Sequence, residues 1–166
     1  MDRRDQIDVL NDLLSKSNDA EKGFREAAED VDAPHLKELF RKYSTQRSLF
    51  GNELKSLVTS LGGEIEKGDT FAAKLHRMWM DLKSSVASNE EKNILEEVRR
   101  GESNALENYN EALEELDSTS IAYQTVLKQR DQIRESLATA ERLIPAYDND
   151  NDNLTQNRRD GYINQN

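Results

Sequence analysis

Four long stretches of this chain carry an apolar residue at every third or fourth position, and one ionisable residue interrupts each seam near its middle: Glu21, Arg47, Glu102 and Arg130. Steps of three and four trace one face of an α-helix. Four such faces, each hiding one charge, predict an all-α, antiparallel four-helix bundle with a polar layer at mid-depth.

The breaks between seams set the helix limits. The first helix is expected from Arg3 to Val31, with Ile7, Leu10, Leu14, Ser17, Glu21, Phe24, Ala28 and Val31 inward. Pro34 cannot extend it but suits the first turn of the next, with Asp32 or Ala33 as cap. That second helix covers His35–Leu61 through Leu36, Phe40, Tyr43, Arg47, Phe50 and Leu54, and Gly62-Gly63 stops it. Ser88 and Glu91 read as a capping box for a helix over Asn89–Leu116, with Ile94, Val98, Glu102, Ala105, Tyr109 and Ala112 inward. Asp117-Ser118-Thr119 turns the chain and caps the last helix, Thr119–Ile144, with Tyr123, Val126, Arg130, Ile133, Leu137 and Ala140 inward.

The middle connection is long and holds its own amphipathic helix over Thr70–Val86, with Phe71, Met78 and Trp79 on one side. Two short loops and one long crossover are the signature of the ferritin-like topology. An internal repeat agrees: Asn18–Val31 aligns with Ser103–Leu116, and Arg47 then falls on Arg130. In that register Glu102 matches Ser17, one turn from Glu21. Residues 1–147 form one domain in this reading, and 148–166, poor in apolar side chains, form a disordered polar tail.

Composition narrows the function. Charged residues make up 34% and the net charge is −10. A negative field repels phosphate backbones and anionic lipid, which argues against nucleic-acid and membrane partners. With no cysteine, disulfides and thiolate chemistry are excluded. No window approaches the ~20 apolar residues of a membrane span. The first residues turn acidic at once, so a signal peptide is not expected and a cytoplasmic setting is.

A carboxylate-bridged metal pair in a bundle needs a Glu from each of two helices and a Glu-x-x-His from each of the other two. Glu21 and Glu102 fit the first requirement, but neither His35 nor His76 has a Glu three residues before it. Arginine stays protonated and only donates, so Arg47 and Arg130 cannot ligate. The four residues are instead expected as a buried layer of opposite charges, with outward rotation of some of them or a functional pocket as alternatives. Glu21, Glu102 and Glu53 are the candidate ligands of an alternative iron or manganese site. Phe71, Met78 and Trp79 are the candidate interface with a second copy or a protein partner.

Val9-Leu-Asn-Asp-Leu13, Asp19-Ala-Glu-Lys-Gly-Phe24 with Ala27-Ala-Glu-Asp30, Leu61-Gly-Gly63 and especially Leu75-His-Arg-Met-Trp-Met-Asp-Leu-Lys83 resemble a bacterial family of ferritin-like four-helix bundles catalogued as a domain of unknown function. The resemblance covers about residues 6–145. It implies a ferritin-like fold and no established activity; only Glu21 and Glu102 carry over as vestigial ligand positions. The expectation is a non-catalytic, self-associating or stress-related interaction module without cofactor. The alternatives are a divergent iron or manganese protein or oxidase, and a bundle with a small-ligand pocket.

Overall fold

The computed structural model describes residues 1–66 and 73–148, and the side chains of residues 73 and 74 are not among those described. Those residues form five helices: α1 Arg3–Asp30, α2 Pro34–Ser60, α3 Ala73–Ser88, α4 Glu91–Glu115 and α5 Ile121–Leu143. No strand occurs among the described residues. Phe71 and the chain from residue 149 onward lie outside them.

Local chemistry accounts for most helix ends. Asp2 accepts from the Arg4 amide to open α1. Ala33 is the N-cap of α2 with no side-chain hydrogen bond, and Pro34 fills the first position, where a missing N–H costs nothing. Gly62 takes φ +77°, and the amides of Gly62 and Gly63 close on the carbonyls of Thr59 and Val58 at 3.0 and 2.9 Å. Ser120 caps α5 by accepting from the Tyr123 amide at 3.0 Å. Asp117 does not cap that helix; it accepts from the Thr119 amide and hydroxyl, and these bonds hold its carboxyl below the usual carboxylate range.

The expected capping box at Ser88–Glu91 does not form. Ser88 is the last residue of α3 and donates to Ser85 O inside its own helix. Asn89 turns the chain at φ 56°, a left-handed conformation that asparagine tolerates, and Glu90 opens α4 without a side-chain cap.

The four long helices pack pairwise, α1 along α2 and α4 along α5, and the contacts of α1 with α4 and of α2 with α5 close the set. Two apolar cores result. One gathers Phe24, Val31, Leu36, Phe40, Ile94, Leu95 and Ile144 at the end where α2 and α4 begin. The other gathers Leu10, Leu14, Phe50, Leu54, Tyr109, Val126 and Ile133 toward the opposite end. After α2 the chain is pinned beside the start of α1, where Asn11 donates to Glu64 O at 3.0 Å and accepts from the Glu66 amide. It reaches the far end through α3, which lies on α1 and α4 and adds Leu82 and Val86 to the first core. At that end Tyr147 donates to Glu91 and sits 3.0 Å from His35 Nε2, so the described chain is docked through its last residues.

Candidate functional site

Polar side chains meet at the waist between the two cores. Arg47, from the middle of α2, is 2% exposed, and Glu102, from α4, is 1% exposed. Arg47 Nη2 donates to Glu102 Oε1 at 2.6 Å, and Nη1 donates to Gln46 Oε1. The guanidinium lies 5.6 Å from the centroid of Phe24 and 5.7 Å from that of Phe50, one aromatic from each core. Its charge is therefore met by a carboxylate, an amide oxygen and two ring faces. Removing such ions from water costs several kcal/mol each, which a close pair about offsets.

Neutral groups complete the layer. Tyr109 donates to Gln129 Oε1 at 2.8 Å and lies 3.4 Å from Ser17 Oγ. Gln129 Nε2 reaches Phe50 O, and Tyr43 donates to Ser136 O at 2.9 Å. Ser44 donates to the backbone carbonyl of Glu21. None of these was expected in the layer; Ser17, Tyr43 and Tyr109 were expected to face inward, Gln129, Ser44 and Ser136 were not.

Two of the four expected members stand elsewhere. Glu21 is at the edge of α1, its carboxylate paired with Arg25 one turn on at 2.7 Å; Ser17 takes the inward position. Arg130 lies at the flank of α5, donating to Asp131 at 2.9 Å and to Asn110 at 3.1 Å. Gln129 points inward in its place. The whole face of α5 is turned by one residue, burying Ala122 and Ser136 as well, and the outcome suits the charges: Glu102 already faces Arg47, so a second buried arginine has no counter-charge, whereas a neutral amide is satisfied by Tyr109 and a backbone carbonyl.

The alternative metal ligands are not assembled either. Glu102 is held by Arg47, Glu21 by Arg25, and Glu53 is an exposed residue whose carboxylate lies 3.5 Å from Gln129 Nε2. Among the described residues no three His, Cys, Asp or Glu side chains group closely enough for a metal ion. The waist as built does not fit a dinuclear centre.

Met78 and Trp79, the interface candidates among the described residues, both lie on α3. Both are half-buried against the bundle. The Trp79 ring lies over Gly23, where an added Cβ would fall 2.4 Å from its Cε3, and meets Phe24 edge-on at 5.2 Å between centroids. Beneath it, between α1, α3 and α4, is a cavity of about 60 Å³ walled by Phe24, Met78, Leu82 and Tyr109 and reaching Arg47 and Glu102. Glu102 Oε2 and Trp79 Nε1 are the buried side-chain atoms among the described residues that have no hydrogen-bond partner.

Burial pushes the Tyr43 and Tyr109 hydroxyls up, the latter to about 12. Both therefore stay neutral donors at any ordinary pH. Unfolded tyrosines ionise near pH ~10. Above that value the unfolded chain releases protons that the folded chain retains, so stability is full below it and falls as pH rises toward 12. In urea unfolding from pH 8 to 12, stability is expected to hold to about pH 10 and then to fall by about 1 kcal/mol per pH unit for each tyrosine, with Tyr43→Phe and Tyr109→Phe each flattening that fall.

No helix among the described residues is long and apolar enough to cross a membrane. Residues 5–115 match the family model described as Domain of unknown function (DUF2383), and the chain belongs to that family. The match takes in α1 through α4, hence Gly23, Arg47, Trp79 and Glu102, and leaves α5 outside. No curated protein matches the chain.

Proposed function

We propose that this member of the DUF2383 family is a non-catalytic, ferritin-like helical bundle whose waist carries an arginine–glutamate pair in place of a dinuclear metal centre. It works as a cytoplasmic, stress-related or protein-interaction module that associates with itself. The observation that carries this reading is the position of Arg47: a donor-only cation between Phe24 and Phe50, 2.6 Å from Glu102, at the depth where bundle ligands would converge. The order of short turn, long crossover and short turn supports the ferritin-like assignment. The surface offered to a partner is that of α3, where Met78 and Trp79 are only half-buried and Met80 is exposed.

Elemental analysis of protein purified without chelator, paired with light scattering, tests both halves. The expected result is substoichiometric iron and manganese and a mass above the 19.0 kDa of one chain. Stoichiometric metal that disappears in Glu21→Ala would reverse the first half. A strict monomer at high concentration would remove the second.

A further inference from the structure

We infer that the cavity between α1, α3 and α4 is a binding site for a neutral small molecule with an apolar body and an alcohol head. At about 60 Å³ it has room for a head group of a few heavy atoms, roughly the share of two liquid waters. Its walls are largely apolar, and its floor is the Arg47–Glu102 pair. Two residues that line it each keep one buried polar atom without a partner, one an acceptor and one a donor: Glu102 Oε2 and Trp79 Nε1–H. Native interiors rarely leave such atoms unmatched, since each costs about 1–3 kcal/mol. A hydroxyl offers what both lack, an O–H for the carboxylate and a lone pair for the indole.

Charge selects against ionic heads. Arg47 and Glu102 already neutralise each other at 2.6 Å, so an ammonium or carboxylate entering this apolar space would be a buried charge without a counter-ion. Lys16, Asn104 and Asn108 in the lining are partly exposed, so the cavity opens to solvent on their side and a chain longer than it holds has an exit there.

Trp79 is the single tryptophan of the chain, which makes its fluorescence a report on this site. Titration of the full chain with 1-hexanol is expected to give a saturable change in Trp79 emission. Hexylammonium and hexanoate, the same chain with charged heads, are expected to bind about tenfold more weakly or worse. Gly101→Leu, which grows a side chain from the cavity wall toward Met78, abolishes the response. Intermolecular nuclear Overhauser effects from the hydroxymethyl protons to Trp79 and Met78 locate the ligand without any substitution. The inference is overturned by the absence of a saturable change, by equal binding of the charged analogues, or by Overhauser effects confined to surface residues. Parent-like binding by folded Gly101→Leu also overturns it.

Discussion

Arg47→Met is expected to lower the unfolding free energy by about 3–5 kcal/mol, measured by urea denaturation at neutral pH. Methionine fills much of the space between Phe24 and Phe50, so lost packing is the smaller part. The larger part is Glu102, whose carboxylate would be left in a buried site without a cation, Oε2 being already unpartnered. Arg130→Met is the matched control at the repeat-related position. Its partner Asp131 is mostly exposed, so the loss there is expected below about 1 kcal/mol. Equal losses at the two positions would mean that burial, not arginine as such, had been misassigned.

Gly23→Ala reverses the usual sign of its substitution. In the middle of a helix, glycine to alanine ordinarily gains about 0.5–1 kcal/mol. Here the added carbon would lie 2.4 Å from Trp79 Cε3 and 2.5 Å from Cζ3, closer than non-bonded carbons approach. The indole cannot move away without giving up its edge-on contact with Phe24. The strain is relieved by lifting α3 from α1, at an expected cost of about 1–3 kcal/mol and with a red-shifted Trp79 emission. Gly101→Ala, whose carbon would meet Met78 Cε at an ordinary 3.8 Å, is expected to show the normal gain. A Gly23→Ala protein more stable than the parent with unchanged emission would contradict the seating of Trp79.

Much of the architecture was legible from spacing. The helix breaks at Pro34, Gly62 and Asp117 follow from backbone chemistry, and the seams of α1, α2 and α4 place Leu10, Phe40, Arg47, Ile94 and Glu102 inside as expected. The inward face of α5 lies one position off the expected one at three turns: Ala122, Gln129 and Ser136 are buried where Tyr123, Arg130 and Leu137 were expected. Val126, Ile133 and Ala140 fit both phases, and the arginine suggested by the repeat is not the residue that turns inward. Choosing between Gln129 and Arg130 requires knowing that Glu102 is already paired, a relation between helices that no local pattern carries. Ser88 misled for a similar reason: its hydroxyl serves the helix it ends as well as one it might begin. Gly23 is a helix-interior glycine, but the ring that requires it comes from a helix dozens of residues away.

The claim on which the rest depends is that Arg47 and Glu102 act as one buried unit at the waist. The most direct test is the unfolding free energy of Arg47→Met/Glu102→Leu set against the two single variants. A buried pair replaced as a whole by apolar side chains is expected to regain most of the stability that either single change removes, ending near or above the parent. Losses that simply add in the double variant would show the two side chains to be independent and would contradict the account.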